Sequence, residues 1–321
     1  MRIRSTKDVE KTLKTQLSLE VKITQNDIKQ NASLELLARQ LVEGFITGLH
    51  KSPYHGFSVE FAEHRLHNEG ESTRHIDWKV YARTDRLFTK RYEEETNLRC
   101  MIAIDTSSSM YYPVQTKGKI RFAKFAAAAL AYLLHRQRDA VGLCLFSDDI
   151  QTLTPVKSTS KHLDKMFRIL NDVESQIFTP KKTNVAKVLD ELAEKVHKRS
   201  LVIIFSDMFD SEENTDDLFK ALQHLKHNKH EVIVFHVMDN QTELFFEFDD
   251  RPMEFVDLES GERLKLNPGE VKESYKASAD RFHKALKLKC NQYKIDFIEA
   301  DIQSDFNLIL QTYLIKRGRM R

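Results

Sequence analysis

The stretch LRCMIAIDTSSSM, residues 98–110, decides the fold and places the candidate site. Its apolar part has the composition of a buried strand and ends on an acid, Asp105. Hydroxyl groups follow at Ser107, Ser108 and Ser109. A carboxylate and a row of hydroxyls, where a strand leaves the core, indicate a binding site at the edge of a sheet.

Apolar strand-like runs alternate with helical patterns from this stretch onward. Strands are predicted at residues 98–105, 140–146, near 153, 201–205, 232–237 and 295–300. Helices are predicted near residues 120–138, 161–171, 184–196, 216–227, 271–290 and 306–315. This alternation predicts an α/β fold with a mostly parallel sheet covered by helices on both faces. The helix near residues 120–138 is apolar nearly all round, so we expect it to be buried.

Two further regions do not belong to the alternation. Residues 56–97 and residues 240–268 contain strand-like alternation of apolar and polar residues, and we predict a small β layer with the second region as an inserted hairpin. Residues 1–55 are predicted to be a helical N-terminal segment. The α/β body is assigned to residues 98–321.

The composition is that of a globular protein. Hydrophobic residues are 41% and charged residues 31%, with only 9 Gly and 6 Pro, which excludes disordered and collagen-like classes. Lys plus Arg, 50 in number, nearly balance 48 Asp plus Glu, so we expect no strong overall field for nucleic acid or an acidic membrane. The basic run LIKRGRMR at the C-terminus is interpreted as a solvated tail.

The cysteines and the N-terminus favour a cytoplasmic protein. Cys100, Cys144 and Cys290 are odd in number and have no C-x-x-C spacing, which is typical of buried thiols in a reducing compartment. No apolar block follows the charged N-terminus, so no signal peptide is predicted. The longest apolar run, residues 125–134, is too short to cross a bilayer.

Three loops are predicted to meet at one edge of the sheet. If the strands of a doubly wound sheet have the order 3-2-1-4-5-6, the strands before Asp105 and Asp207 are neighbours and their loops face one crevice. A third loop opens nearby at Thr183, before a helix. With Ser107 and Ser109, these residues offer two carboxylates, three hydroxyls and no soft ligand. Such a set favours a hard divalent cation such as Mg²⁺.

The charge of this donor set suggests its use. Two carboxylates roughly cancel a divalent ion and hydroxyls add no charge, so the ion would still accept an anionic oxygen from outside. We therefore expect a glutamate or aspartate of a partner protein to complete the site.

Each candidate residue also has a purely structural interpretation. A Ser-rich turn after a strand can bond its own backbone, and Thr183 alone can be a helix N-cap. Asp207 can cap the turn that follows it, and Asp210 could replace it. The joint placement of three loops at one edge favours the metal site.

The motifs resemble a known family. D-T-S-S-S at residues 105–109, Thr183 and S-D-M at residues 206–208 resemble the metal ion-dependent adhesion site of von Willebrand factor A domains. Upstream, HGFSVEFAEHRLHNEGESTRHIDWKVYARTDRLFTKRYEEETNL at residues 55–98 resembles the signature of a bacterial family, domain of unknown function 58. The resemblance implies a Rossmann-like von Willebrand A fold with Mg²⁺ or Mn²⁺ at the matched residues. It also implies a functional link to MoxR-type AAA+ ATPases, and no established catalytic activity.

The resemblance further implies roles for the five site residues. Ser107 and Ser109 would bind the metal directly, and Asp105, Thr183 and Asp207 would bind it directly or through water. Many A domains have glycine within the D-x-S-x-S loop and before the threonine, whereas this chain has Ser108 and, at residues 181–182, two lysines. We therefore expect a loop at Thr183 that is less freely hinged.

The upstream signature has two interpretations. Asp77, Trp78, Arg83 and Asp85 could form a binding surface. We favour a structural role, in which Trp78 packs a β layer that surface ion pairs connect.

Two functions of different classes remain. We favour a metal-dependent protein-interaction module, not an enzyme, that is an adaptor or partner of a MoxR-type ATPase or its client. The sequence has no P-loop, so any ATPase would be another chain. The alternative is a Mg²⁺-dependent phosphohydrolase with Asp105 as nucleophile. Such enzymes usually place a second Asp two residues on, where this chain has Ser107.

Overall fold

A computed structural model describes residues 33–51, 64–66, 78–85, 88–90, 98–174, 184–208, 215–303 and 305–319. The chain divides into two compact units. Residues 1–47 and 98–321 form the larger unit, and residues 48–97 form the smaller one. The candidate site belongs to the larger unit.

The secondary structure of the described residues follows the predicted alternation closely in the larger unit. The strands are β1 (His64–Leu66), β2 (Phe88–Lys90), β3 (Arg99–Asp105), β4 (Ala140–Phe146), β5 (Ile150–Leu153), β6 (Leu201–Ser206), β7 (Glu231–Met238), β8 (Met253–Val256), β9 (Arg263–Leu266) and β10 (Asp296–Asp301). The helices are α1 (Leu34–Lys51), α2 (Trp78–Thr84), α3 (Gly118–Arg136), α4 (Ser160–Val173), α5 (Val185–Lys195), α6 (Thr215–His227), α7 (Pro268–Gln292) and α8 (Asn307–Arg319). Helix α1 confirms a helix in the N-terminal segment, and residues 1–32 lie outside the described part.

A six-stranded sheet organises the described part of the larger unit. Its strand order is β10-β7-β6-β3-β4-β5, and only β5 is antiparallel to its neighbour. The predicted mixed α/β fold with a mostly parallel sheet is therefore confirmed. Strands β3 and β6 pair directly, from Cys100 with Leu201 to Ile104 with Phe205, so their carboxyl ends leave the sheet side by side.

Helix α3 is buried along most of its length, as its apolar sequence predicts. Its Phe122 and Phe125 pack on Phe306, with ring centroids 4.8 and 4.5 Å apart. Burial of each such ring contributes roughly 1.5–3 kcal/mol to stability. This packing fixes the N-terminal turn of α3, which lies beside the candidate site.

Helix α3 lies on one face of the sheet, and α5, α6 and part of α7 cover the opposite face. Side chains alternate between the two faces of a strand, and Met101 and Ala103 of β3 share one hydrophobic cluster with these helices. The two amphipathic helices α5 and α6 contribute Leu189 and Leu222 to that cluster. Helices thus cover both faces of the sheet. Polar loops can therefore gather at the amino ends and at the carboxyl ends of the strands, which are termed the amino edge and the carboxyl edge.

The smaller unit departs from its prediction at HIDWKVYAR. Residues Trp78–Thr84 form helix α2, so the strand predicted there is wrong. The segment alternates over only a few residues, and its Lys, Ala and Arg are good helix formers. Strands β1 and β2 do pair, His64 with Lys90, in two segments that were predicted to contain strands.

The inserted hairpin pairs with itself. Strands β8 and β9 join Met253 to Leu266 in a sheet separate from β1 and β2, and both lie in the larger unit. The hairpin region therefore does not extend the β1–β2 sheet among the described residues. Its Phe246 packs on Tyr275 of α7, with ring centroids 4.6 Å apart, which anchors it to the larger unit. None of the helices in the described segments has the length and apolar character needed to cross a membrane.

Candidate metal centre

Asp105 is the last residue of β3, and its side chain is completely buried. Its Oδ1 accepts a hydrogen bond from the backbone N–H of Ser107 at 2.9 Å, and its Oδ2 accepts one from the hydroxyl of Ser206 at 2.7 Å. The Ser206 oxygen in turn accepts the N–H of Met208 at 2.9 Å. Both carboxylate oxygens are therefore oriented by donors from the ends of two adjacent strands.

The two serines of the D-x-S-x-S motif come together beside this acid. The Oγ atoms of Ser107 and Ser109 lie 3.0 Å apart. The chain continues as a short 3₁₀ helix, Ser108–Tyr111, and the N–H of Met110 donates to the carbonyl of Ser107 at 3.1 Å. This tight turn brings both hydroxyls to the edge of the sheet where Asp105 ends.

Asp207 lies directly after β6 and is paired with a buried lysine. Its Oδ2 accepts a hydrogen bond from Lys119 Nζ at 2.8 Å, and the same ammonium donates to Glu243 Oε1 at 2.7 Å. Lys119 is fully buried in the first turn of α3, and Asp207 is 1% exposed. The backbone of Asp207 is held as well, because its carbonyl oxygen accepts a hydrogen bond from His236 Nε2 at 2.7 Å.

Sequence reasoning missed Lys119 and Glu243. Lys119 stands at the start of a predicted helix, where a cation is usually solvated, and Glu243 stands between β7 and the hairpin. The only signal was the burial predicted for the whole of α3, since a lysine on a buried helix requires a partner. That partner comes from a segment 124 residues further along the chain, which sequence spacing does not predict.

The charges at the centre perturb one another strongly. Burial and the nearby charge of Asp207 raise the pKa of Asp105 to about 7, against the hydrogen bonds from Ser206 and Ser107. Burial lowers the pKa of Lys119, but the charges of Asp207 and Glu243 outweigh it and the net shift is upward. Burial also raises the pKa of Glu243, which Lys119 opposes. These shifts reflect a centre in which three acids outnumber the one lysine.

Two sequence-predicted residues, Thr183 and Asp210, lie outside the described residues. The structure nevertheless answers one of the structural interpretations. Helix α5 is capped by Asn184, whose Oδ1 accepts the N–H of Lys187 at 2.9 Å, so Asn184 rather than Thr183 is the N-cap.

The donor set fits a hard divalent cation. Within the described ranges, no three His, Cys, Asp or Glu side chains are grouped as a metal site, and this centre offers two carboxylates with hydroxyls instead. Three carboxylates and one ammonium leave a formal charge of −2, which one divalent ion would cancel. Such an ion would be held by Asp105, Ser107, Ser109 and Asp207, since oxygen ligands suit Mg²⁺ and Mn²⁺. When bound, it would supply a Lewis-acidic position for an anionic oxygen.

Comparison with solved structures shows distant similarity. BatB, a conserved hypothetical protein from Bacteroides thetaiotaomicron, is 16% identical with a TM-score of 0.43, covering 69% of this chain and 99% of that one. An aerotolerance-related membrane protein from Bacteroides fragilis is 17% identical with a TM-score of 0.42, covering 67% of this chain and 97% of that one.

Comparison with curated proteins and family descriptions is more direct. Uncharacterized proteins from Mycobacterium bovis and Mycobacterium tuberculosis are 25% identical over 207 residues, which are 64% of this chain and 63% of each relative. The match thus spans less than two thirds of the length of these relatives. Residues 63–285 match the family described as "Protein of unknown function DUF58". Because the match covers well over half of the chain, this protein belongs to the DUF58 family.

Proposed function

We propose that this chain is a metal-dependent protein-interaction module of the von Willebrand factor A type. It would bind Mg²⁺ or Mn²⁺ through Asp105, Ser107, Ser109, Thr183 and Asp207, and the ion would bind an acidic residue of a partner protein. The observation that supports this most is the meeting of Asp105 with the Ser107–Ser109 hydroxyl pair and Ser206, where β3 and β6 end.

The topology supports the same site. In the order β5-β4-β3-β6-β7-β10, the chain moves from β3 to β5 on one side and returns to β6 on the other. Open α/β sheets bind their ligands at such a reversal, beyond the carboxyl ends of the strands. Asp105 is the last residue of one strand that flanks this reversal, and Asp207 directly follows the other.

The electrostatics support a partner that brings a carboxylate. Lys119 bridges Asp207 and Glu243 and offsets one of the three negative charges, so a divalent ion would cancel the remaining two and leave the centre neutral. A carboxylate from outside would then meet no net repulsion and could fill a free coordination position. The resemblance to the bacterial family, domain of unknown function 58, supports a MoxR-type AAA+ ATPase or its client as the partner.

Thermal unfolding with and without Mg²⁺ or Mn²⁺ tests the metal site. At about one hundred times its dissociation constant, the ion should stabilise the wild-type protein by about 2.7 kcal/mol. Asp105→Ala should lose this gain. Asp139→Ala is the matched control and should keep the gain. Asp139 is also a buried acid, but it directly precedes β4, at the end of the strands opposite to Asp105. Equal stabilisation of wild type and Asp105→Ala would contradict the site.

Affinity capture from the native host tests the interaction. Wild type with Mg²⁺ should recover proteins that are lost with Asp105→Ala and with a chelator. Recovery of the same proteins in all three samples would refute the interaction at the metal. Turnover of phosphate esters that Asp105→Asn abolishes would replace this proposal by the phosphohydrolase alternative.

A further inference from the structure

The amino edge of the sheet, opposite the metal centre, carries a row of exposed cations. Strands β10, β7, β6, β3 and β4 are adjacent and parallel, so all five begin at this edge. Arg99 is the first residue of β3, and a basic residue stands two positions before each of the other four strands. In their order across the sheet, these residues are Lys294, Lys229, Arg199, Arg99 and Arg138. They are termed the basic row, and with strands about 4.8 Å apart it spans roughly 19 Å.

The backbone does not explain why these residues are basic. Arg138, Arg199, Lys229 and Lys294 have φ angles of 61°, 62°, 62° and 56°. A β-carbon is unfavourable in this left-handed region, and glycine is the usual residue there after a helix. A cation near a helix end does interact favourably with the helix dipole, so the test below separates that contribution from binding.

Two acids near this edge are paired outside the row. Glu231 and Asp296 are both paired with Lys316, at 2.7 and 3.0 Å. Within the described residues, no ion pair joins a carboxylate to four members of the row, Arg99, Arg199, Lys229 and Lys294. The row is therefore a positive surface on a protein whose net formal charge is only +2.

A cleft of about 400 Å³ opens beside Arg99. Lys195, which is paired with Glu191, and His197 also line it. The apolar part of its wall consists of Met101, Leu153, Pro155, Val156 and Val196. No carboxylate is among these lining residues, so the cleft suits an apolar side chain with acids on either side.

We propose that the basic row and this cleft form a second docking surface, which binds an acidic segment of a partner protein with an apolar residue of that segment in the cleft. Charge complementarity selects the acidic segment, and the concave apolar wall selects the anchor residue. A flat anionic bilayer would use the row and leave the cleft unfilled. Single-stranded nucleic acid favours exposed aromatic platforms, whereas Tyr293 is half-buried and Tyr313 is buried near this edge.

Fluorescence anisotropy with a labelled peptide of glutamates around a central leucine tests the surface. The probe should bind wild type in EDTA, and a peptide with Gln for Glu should not. Combining Arg99→Gln, Arg199→Gln and Lys229→Gln should weaken binding about tenfold, since three exposed charge pairs together contribute about that factor. The matched control combines Lys265→Gln, Lys272→Gln and Lys276→Gln, which removes equal charge from β9 and α7 and should leave affinity unchanged.

A pair of variants at one position tests the cleft. Leu153→Glu places a carboxylate in the wall and should abolish peptide binding, whereas Leu153→Lys is equally polar and should retain it. Unchanged binding in both variants would overturn the role of the cleft, and equal loss in both would overturn the selection by charge there. The proposal would be overturned if wild type did not bind the glutamate peptide, or if it bound duplex DNA or phosphatidylglycerol vesicles instead.

Glycine variants separate binding from a structural role of the row. Arg199→Gly and Lys229→Gly should weaken peptide binding without lowering the midpoint of thermal unfolding. A lower midpoint with unchanged binding would mean that the side chains serve only the fold, and the proposal would fail. Asp105→Ala should bind the peptide as wild type does, so failure of the metal site and failure of this surface are distinguishable.

Discussion

Charged side chains differ in burial and in pairing between the two edges of the same sheet. At the carboxyl edge, Asp105, Asp207 and Lys119 are buried and bonded to one another or to nearby donors. At the amino edge, the members of the basic row are exposed, and the nearby acids Glu231 and Asp296 are paired with Lys316. A protein with a nearly neutral net charge can therefore carry exposed positive charge at one edge of its sheet and buried, paired charge at the other.

The difference has a physical origin. A charge out of water must be compensated inside the molecule, so the buried edge requires fixed partners at short distances. An exposed charge keeps its hydration and acts over a Debye length of about 8 Å at physiological salt. The first arrangement suits selection of one ion or atom by geometry, and the second suits attraction of a larger charged partner.

The largest expected effect is at the buried ion pair. Lys119→Met leaves the acids of Asp207 and Glu243 buried without their cation, which should lower the free energy of unfolding by about 3–5 kcal/mol. Adding Glu243→Gln should recover part of the loss, because one uncompensated acid disappears. Lys195→Met, in an exposed pair with Glu191, should cost under about 1 kcal/mol. Urea denaturation measures all three, and similar losses for Lys119→Met and Lys195→Met would break the comparison.

An intermediate effect, of opposite sign, is expected in the basic row. Lys229→Gly should raise the free energy of unfolding by up to about 1 kcal/mol, because glycine relieves the left-handed backbone at φ 62°. Arg99→Gly is the control within the same row, because Arg99 begins a strand and glycine there should cost about 0.5–1 kcal/mol. Thermal unfolding at matched pH compares them. Destabilisation by both would show that the row contributes to the fold.

The smallest effect concerns an acid beside the row. Burial alone would raise the pKa of Glu231, but Lys316 and Lys226 outweigh it and lower the pKa below its usual 4.5. A lowered pKa means that Glu231 stabilises the fold above pH 4.5 and that this contribution is lost as pH falls through the folded value. Because the side chain is 39% exposed, the contribution should stay below about 1 kcal/mol. Wild type should exceed Glu231→Gln in stability near neutral pH and match it in acid; a constant difference would contradict this.

Sequence periodicity predicted the body of the fold because its signals are local. The strands β3, β4, β6 and β7 are short apolar runs, and α3 is apolar nearly all round, so neither pattern depends on distant residues. The helix α2 was missed because Trp78–Thr84 is too short for either period to dominate.

The candidate site could be predicted only in part. Asp105, Ser107 and Ser109 lie within one turn of chain, and their meeting follows from sequence spacing. The bridge from Lys119 to Glu243 joins elements far apart in sequence, so no local pattern indicates it. The basic row was also missed, because a total charge does not record where each residue lies; the strand order was needed to line up its members.

Lys119 has a consequence for how the centre would behave over time. A tethered ammonium is a counter-ion that cannot diffuse away, so Asp207 remains compensated whether or not a dissolved ion is present. We therefore expect the core around Lys119 to fold without a bound metal ion. Binding and release of the metal ion would then be a reversible signal on a protein that is already folded.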